Sequence, residues 1–323
     1  MKFEKKYWIP LAIGLCLILG IASAAMLVKG NYFVDQHINI FDKTKNDCPS
    51  IKWTSRLDST HLSSPVTIDG EIYFAGERVP LEDPDVRERL DREINLNVFW
   101  HSNMLMSMKL ANRYFDEIEQ ILVEKGVPAD FKYLALIESN FRYDASPAGA
   151  VGFWQFMKPT AKTYNLVVND EVDERYNDDR STEAACAFLK ESKEKLGNWT
   201  LAAASYNMGL PSMMERVKDQ KTNNYYEMYF NPETSRYIFR MIALKIIFSN
   251  PRRAGFDVKP GELYQPYKYK TVEVDTSISN IADFAAKYGL KYKHIKILNP
   301  WLRNASLTNK ERHKYLVKIM DPS

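Results

Sequence analysis

The sequence predicts a mainly α-helical protein that ends in a small α+β module. Hydrophobic residues recur at helical spacing from Leu81 to about Asn250. After Pro260 the pattern changes to a strand, two short helices and a second strand, in the order βααβ. We therefore divide the chain into an N-terminal segment (1–30), a spacer (31–80), a helical domain (81–262) and the α+β module (263–323).

Composition and charge argue against several classes of protein. The 323 residues carry a formal net charge of +3, which gives no electrostatic case for binding nucleic acid. No two of the five histidines have a zinc-ligand spacing, and no C-x-x-C motif occurs. We expect no metal and no redox cofactor. The sequence shows no signal for an oligomer, so we expect a monomer.

The N-terminal segment predicts export. Its first six residues are net basic, and no charged residue occurs between Lys6 and Lys29. As a helix with a rise of ~1.5 Å per residue, residues 7–28 are long enough to cross a hydrocarbon layer of about 30 Å, which favours a membrane anchor. Ala22-Ser23-Ala24 leaves a cleaved signal peptide as the alternative. With the basic end inside, the rest of the chain would lie outside the cytoplasm.

Two cysteines, Cys48 and Cys186, follow this segment. In an oxidising compartment they could form a disulfide. Cys186, however, lies in an apolar helical pattern that is typical of a small buried core residue. The sequence leaves both alternatives open.

The spacer contains one local structural signal. Asp69-Gly70 is a common hairpin turn, and it is flanked by the strand-like runs 65–68 and 71–77. We expect one β-hairpin that packs on the helical domain, and we assign it no chemistry.

Apolar periodicity and capping residues predict a series of short helices in the helical domain. Ser181 would cap one of them, Gly197 would stop it, and Asn231-Pro232 would begin the longest. The predicted helices cover 86–94, 100–125, a helix from 129 to Glu138, 181–196, 199–206, 212–218 and 232–250.

The helix that ends at Glu138 places a carboxylate on an apolar face. Phe131, Leu134, Ala135 and Glu138 follow one another at i, i+3, i+4 and i+7. A carboxyl in such a position has a raised pKa, and a carboxyl that stays protonated near neutral pH can act as a general acid. A surface glutamate at a frayed helix end, or a structural ion pair, is the alternative.

The residues after Glu138 resemble a known family. The features that they share with it are the Glu-Ser pair after an apolar helix, the S-x-x-G-A-x-G-x-x-Q-F-M run from Ser146 to Met157, and Ser205-Tyr206-Asn207. The order and spacing of these motifs resemble the lytic murein transglycosylases, most closely the membrane-bound lytic transglycosylase D type. The resemblance extends over roughly residues 81–250 and implies a lysozyme-like fold.

The resemblance implies a role for Glu138 as the single catalytic acid. In the implied reaction it protonates the glycosidic oxygen between MurNAc and GlcNAc. As a carboxylate it then accepts the proton of the C6 hydroxyl, which closes on C1 to give a 1,6-anhydro product. The substrate's N-acetyl group would replace a second carboxylate, as in substrate-assisted glycosidases. Asp144 matches no catalytic position, and we expect a solvated loop charge.

The same resemblance implies a set of substrate-binding residues, although several of them have a structural alternative. Ser146 would lie near the N-acetyl group or be a turn residue, and Gln155 would bind sugar hydroxyls or the acetamide. Tyr237 would hydrogen-bond Glu138 or belong to the core. For Phe156 and Met157, core packing and substrate contact are both open. The complete substrate-binding set is Ser146, Gln155, Phe156, Met157, Tyr206, Asn207 and Tyr237.

The α+β module resembles a LysM peptidoglycan-binding module. The matching residues include Asp275-Thr276, Ile281-Ala282, Tyr288-Gly289, Asn299 and the strand 315–319. Val274 replaces the usual glycine, and the stretch after Asn299 is long. The module would therefore either bind glycan or be a degenerate copy that packs on the helical domain.

The resemblance leaves three functions to compare. The first is a lytic transglycosylase that acts on peptidoglycan glycan strands in cell-wall remodelling. The second is a lysozyme-like hydrolase in which water replaces the C6 hydroxyl. The third is a catalytically dead wall-binding protein, which the presence of Glu138 and Gln155 disfavours. All three are exported proteins that bind glycan, and the resemblance implies that they lie in the periplasm.

Overall fold

A computed structural model of the chain describes residue 68 and residues 70–321. These residues lie within one compact unit, 59–323. The structure is mainly helical and has two two-stranded sheets, so the predicted fold class is confirmed. Residues 7–28, Ala22-Ser23-Ala24 and Cys48 lie outside the described residues. Within the described part, no helix is both long and apolar enough to cross a membrane.

The helical domain begins with a short hairpin, β1 (Tyr73–Phe74) and β2 (Glu77–Arg78). Its helices are α1 (Pro84–Phe99), α2 (His101–Glu124), α3 (Lys132–Ser139), α4 (Lys158–Thr163), α5 (Asp178–Leu196), α6 (Trp199–Met208), α7 (Leu210–Gln220) and α8 (Pro232–Ser249). Short 3-10 turns lie at Ala129–Phe131, Glu174–Tyr176, Tyr225–Glu227, Pro251–Ala254 and Pro260–Glu262.

Helix α3, which ends just after Glu138, packs between α2 and α8. Helix α1 packs along α8, and a charged pair joins the two helices. The Arg236 guanidinium donates to both carboxylate oxygens of Glu93, at 2.6 and 3.0 Å, and Glu93 is 2% exposed. The bidentate geometry compensates for the desolvation of the carboxylate. This contact fixes the helix that carries Tyr237.

Helix α3 ends where Asn140 takes a left-handed conformation, with φ 51°. Asparagine is one of the few residues that tolerate this conformation. Its side chain also bonds α2: it accepts from Ser107 Oγ at 2.5 Å and donates to Asn103 Oδ1 at 2.9 Å. The chain therefore turns sharply two residues after Glu138.

The C-terminal module consists of β3 (Tyr269–Val274), α9 (Ile281–Ala286), α10 (Tyr292–Leu298) and β4 (Tyr315–Met320). Strands β3 and β4 are antiparallel, with Tyr269 opposite Met320. The βααβ order is as predicted. The hydrophobic core of the module also contains Val151, Val172 and Tyr176 from the helical domain. The domain boundary at 262/263 stays a prediction.

Several predicted details of secondary structure are wrong. The predicted strand 71–77 is broken by a turn at Ala75-Gly76, where both residues have positive φ. Helix α5 begins before Ser181, because Asn177 accepts from the backbone N–H of Arg180 and caps it. The first helix of the C-terminal module, predicted over 277–288, begins only at Ile281, because Ile278 forms a β-bridge with Leu307 instead.

The hairpin is attached to the helical domain through Glu77. The Glu77 carboxylate accepts from the backbone N–H groups of Trp199 and Thr200, at 2.6 and 2.9 Å, and from the Thr200 hydroxyl at 2.5 Å. These N–H groups open helix α6 and have no partner inside the helix. A residue 122 positions away in sequence thus provides the negative charge that a helix N-terminus favours.

We predict that Glu77→Gln lowers the free energy of unfolding by about 1–2 kcal/mol, because the amide keeps at most part of this cap and none of its charge. The measurement is urea unfolding followed by circular dichroism. Glu82→Gln is the matched control, because Glu82 makes an exposed ion pair with Arg78 at 2.7 Å, which solvent screens and which should contribute little to stability. Equal effects of the two substitutions would contradict the role of Glu77.

Candidate functional site

The structure places Glu138 on the inner side of α3, next to Tyr237 of α8. The Tyr237 hydroxyl donates a hydrogen bond to Glu138 Oε1, and Tyr237 itself is 1% exposed. Burial raises the pKa of the Glu138 carboxyl; the Tyr237 hydrogen bond and the Arg240 charge oppose this shift, and Glu233 adds to it. The net direction is upward. The geometry is that of a carboxyl held by one phenol donor, with one positive and one negative side chain nearby.

Tyr206 lies near Glu138 and is bonded to the residues that follow α3. Its ring is close enough that the Glu138 charge, after burial, raises the pKa of the Tyr206 hydroxyl. That hydroxyl donates to the backbone carbonyl of Trp154 at 2.8 Å, and the Phe156 ring packs edge-on against Tyr206. Tyr206 therefore joins helix α6 to residues 141–157, which we call the motif loop.

Asn207 has structural partners on α8. Its amide nitrogen donates to Glu233 at 3.0 Å, and its amide oxygen accepts from the Thr234 hydroxyl at 2.7 Å. Both partners lie within one turn of Tyr237. Asn207 thus fixes the beginning of α8 against the end of α6, and it holds Glu233 near Glu138.

The motif loop is closed by its own polar residues. The Ser146 hydroxyl accepts from the backbone N–H of Ala150 at 3.0 Å. The Gln155 amide donates to the backbone carbonyls of Gly152 and Asp144, at 2.9 and 3.3 Å. No contact joins Ser146 or Gln155 to Glu138 in the part of the chain that is described. Asp144 is an exposed loop charge, as predicted.

The two apolar residues at the end of the motif loop have different environments. Phe156 is 3% exposed and belongs to the hydrophobic core, whereas Met157 is 40% exposed. Of the two alternatives that the sequence left open for each residue, core packing holds for Phe156. Met157 is accessible to a ligand.

Two buried residues that the sequence did not predict, Asp173 and Arg175, hold the motif loop in place. Asp173 and Arg175 form a buried ion pair, with Arg175 Nη2 2.8 Å from Asp173 Oδ2. Arg175 Nη1 also donates to the backbone carbonyls of Gly149 and Phe156, both at 3.1 Å. The guanidinium therefore joins the two ends of the glycine-containing turn. Because Arg175 is distant from the motif in sequence, no local pattern predicts this contact.

Arg240 and Glu233, which act on the pKa of Glu138, were also missed. They lie at i+3 and i−4 from Tyr237 on α8, so helical spacing could have placed them on the same face. Within the described part of the chain Cys186 is a buried free thiol, and burial raises its pKa to about 12. Its prediction as a buried core residue is confirmed.

Glycine is required at position 152 because of a close approach between backbones. A Cβ atom there would lie 1.8 Å from the carbonyl oxygen of Arg175, and φ is +80°. Gly149 has a similar φ of +85°, but a Cβ atom there would have no neighbour within 4 Å. Substitutions at the two glycines therefore separate the cost of left-handed backbone from the cost of a clash with the Arg175 carbonyl.

We predict that Gly149→Ala lowers the free energy of unfolding by about 1–2 kcal/mol, because alanine disfavours left-handed backbone. Gly152→Ala should lower it by clearly more, since the loop must also move away from Arg175. Chemical denaturation of both variants measures the difference. Equal losses would show that the loop has room at position 152.

A second prediction concerns the pH dependence of stability. The pKa of Glu138 is higher in the folded state than in the unfolded chain, where it is about 4.3. The contribution of this carboxyl to stability is therefore complete at low pH and is lost as pH rises through the folded-state pKa. We expect Glu138→Gln to gain stability relative to wild type as pH rises from about 4.

The test is urea unfolding of both proteins at a series of pH values. Each tenfold change in the proton affinity of Glu138 corresponds to about 1.4 kcal/mol of difference between wild type and variant. Glu88→Gln, which removes an exposed carboxylate from α1, controls for the loss of one charge. A difference that does not change with pH would contradict the upward shift.

Comparisons with known proteins confirm the resemblance. Residues 118–229 match the family model described as transglycosylase SLT domain, and residues 270–322 match the soluble lytic transglycosylase C-terminal LysM-like domain. The first match contains Glu138, the motif loop, Tyr206 and Asn207.

Two curated relatives are the membrane-bound lytic murein transglycosylases D of Escherichia coli strain K12 and of Escherichia coli O6:H1 strain CFT073. Each is 24% identical over 266 residues, which cover 79% of this chain and 57% of the relative. The chain thus spans somewhat over half the length of these relatives.

Among solved structures, an inactive mutant of the lytic transglycosylase Slt from Pseudomonas aeruginosa is similar to this chain at 21% identity. The match covers 46% of this chain and 26% of that chain, with a TM-score of 0.35. The two family matches agree with the order of the motifs around Glu138 and identify the domains of the chain. It contains a transglycosylase SLT domain followed by a C-terminal LysM-like domain of the soluble lytic transglycosylase type.

Proposed function

We propose that the protein is a lytic transglycosylase that cleaves the MurNAc-β-1,4-GlcNAc bond of peptidoglycan without water and leaves 1,6-anhydroMurNAc ends. The observation that supports this proposal most is the environment of Glu138. Its carboxyl is buried beside the motif loop of an SLT domain, its pKa is raised by burial, and Tyr237 holds one of its oxygens. A carboxyl of this kind is suited to donate a proton near neutral pH.

The proposed reaction needs one protein carboxyl in two protonation states. Protonated Glu138 donates its proton to the glycosidic oxygen as the bond between that oxygen and C1 breaks, and the GlcNAc unit leaves as an alcohol. The Glu138 carboxylate then accepts the proton of the C6 hydroxyl on the same muramoyl ring while that oxygen bonds to C1. Glu138 ends the cycle protonated, and no water is consumed.

Tyr237 and Arg240 would act in the second half of this cycle. Each of them lowers the pKa that burial alone would give to Glu138. A pKa brought closer to the working pH allows the same group to give and to take a proton. Tyr237 also holds Glu138 in one orientation, because its hydroxyl donates to a single carboxylate oxygen.

The unused hydrogen-bonding capacity of the motif loop supports substrate contacts there. The Ser146 oxygen accepts from Ala150, which leaves its O–H proton available for an acetamide carbonyl. The Gln155 amide nitrogen is occupied by loop carbonyls, which leaves its oxygen to accept from a substrate N–H or O–H. Met157 would offer an exposed apolar surface to a sugar ring. We propose that Tyr206, Asn207 and Phe156 stabilise the structure around the site through their contacts with other protein residues.

We propose that the protein acts in the periplasm and is attached to the membrane through residues 7–28. The charge distribution of the N-terminal segment and its apolar length support this localisation. The substrate, peptidoglycan, would then lie in the same compartment as the SLT domain. Its role there would be remodelling and turnover of the cell wall.

The test is mass spectrometry of purified murein after incubation with the full-length chain in detergent. We expect 1,6-anhydro products from the wild type. The yield of Glu138→Gln should be lower by at least about 100-fold, because general acid catalysis contributes that much or more. Glu88→Gln, whose carboxylate is exposed on α1, should retain activity.

Two other outcomes would overturn the proposal in different ways. Products with reducing ends, which are heavier by one water, would identify a lysozyme-like hydrolase that uses the same carboxyl. Absence of product from the wild type, with sedimentation onto murein retained, would leave a wall-binding protein without catalytic activity.

A further inference from the structure

We propose that the C-terminal LysM-like domain positions the motif loop of the SLT domain and is thereby part of the candidate active site. The proposal rests on the proposed function for its activity measurement only. Three separate sets of contacts run from the C-terminal domain to the motif loop: a shared hydrophobic core, a bridging segment, and a buried lysine.

The first set is the shared core. Val151, in the middle of the motif loop, is 5% exposed and belongs to the same hydrophobic cluster as Ile281, Ile295 and Val317 of the C-terminal domain. In an independent glycan-binding domain the core would be closed by its own residues. Here the core of the C-terminal domain is completed by the loop that carries the sugar-binding motif.

The second set runs through residues 171–176, which we call the bridging segment. On one side it pairs with the C-terminal domain. The backbone N–H of Asp173 donates to the carbonyl of Trp301 at 2.9 Å, and that of Arg303 donates to the carbonyl of Glu171 at 2.7 Å. The Glu171 carboxylate also accepts from the backbone N–H and the hydroxyl of Thr308, both at 2.9 Å.

On its other side the bridging segment holds the motif loop. Asp173 orients Arg175 through two hydrogen bonds, and Arg175 donates to the carbonyls of Gly149 and Phe156. A buried guanidinium is costly unless its donors are used, so its position is strongly constrained. Because Asp173 bonds Trp301 through its backbone and Arg175 through its carboxylate, a single residue connects the C-terminal domain to the turn at Gly149.

The third set is centred on Lys318 of β4. Asn299, fully buried in the C-terminal domain, bonds both the N–H and the carbonyl of Lys318 and so fixes its backbone. The Lys318 ammonium reaches into the SLT domain, where it lies 2.9 Å from Asp179 and 3.4 Å from Glu117. Its side chain is only 12% exposed.

From Lys318 the contacts continue to the motif loop through Asp178. This carboxylate lies within the field of the Lys318 charge and accepts from the Tyr143 hydroxyl, at 2.9 and 3.0 Å for its two oxygens. The Tyr143 ring in turn stacks on Phe153, with centroids 4.8 Å apart. Tyr143 and Phe153 are both motif-loop residues, so the lysine is connected to the loop at a second place.

These contacts favour a positioning role over that of a tethered glycan binder. The long stretch after α10, which departs from the usual LysM pattern, is the part that bonds Glu171 and Asp173. The extra length of this stretch therefore provides contacts that attach the C-terminal domain to the SLT domain. All three sets of contacts converge on residues 143–156.

The test compares Lys318→Met with Lys314→Met in the full-length chain. Methionine keeps most of the apolar stem and removes the charge. Lys314 pairs with Glu273 inside the C-terminal domain and is 72% exposed, so it controls for the same substitution away from the interface. Hydrogen exchange is followed at the loop amides of Gly149, Ala150 and Val151, each of which is hydrogen-bonded within the loop.

We expect Lys318→Met to raise exchange at these amides by about tenfold, the change that corresponds to about 1.4 kcal/mol of local stability. We also expect a lower kcat on murein, an unchanged pH of half-maximal activity and unchanged sedimentation onto murein. Lys314→Met should match the wild type in every measurement. If Lys318→Met does not fold, Glu171→Ala, which removes two bonds to Thr308 at a half-buried site, should show the same changes with smaller amplitude.

Two results would overturn the proposal. One is unchanged exchange in the motif loop in both variants. The other is loss of murein sedimentation with kcat unchanged at saturating substrate, which would identify a glycan-binding role for the C-terminal domain. A wild type that makes no product would refute the proposed function, whereas the exchange measurement would still decide whether the C-terminal domain positions the loop.

Discussion

The structure depends on one unfavourable placement, a carboxyl on the apolar side of a short helix. Glu138 lies on α3, which packs between α2 and α8, and burial raises its pKa. The surrounding elements are arranged to hold this group. Glu93 and Arg236 fix α8, so that Tyr237 meets one oxygen of Glu138, and Asn140 turns the chain directly after it. Burial of this carboxyl costs stability, and the proposed function would use the raised pKa that results.

The second constraint is on the backbone of the motif loop, which packs closely against buried polar groups. Gly152 passes so close to the Arg175 carbonyl that no side chain fits there. Gln155 holds a left-handed conformation with φ 47°. Strained backbone of this kind persists where the surroundings determine it from several sides. Hydrogen bonds from Arg175 and Tyr206 to backbone carbonyls of the loop supply that support.

The parts of the site that the sequence predicted are those with a local pattern. Glu138 follows from helical periodicity and from the motif after it. The hydrogen bond from Tyr237 to Glu138 was implied by the family resemblance. Arg175 and Asp173 could not be predicted, because their partners are distant in sequence and no periodicity marks them. The hairpin turn at Ala75-Gly76 was missed for another reason: alanine rarely takes positive φ, and the stronger turn pair Asp69-Gly70 lies nearby.

The shared core of the C-terminal domain has a consequence for how such chains can change during evolution. A module that closes its own core can be gained, lost or exchanged between proteins with little effect on its neighbour. Here removal of the last 50 or so residues would expose Val151, Val172 and Tyr176 to water. Any descendant that discarded this module would need new residues to cover the loop, so the two parts are expected to be inherited together.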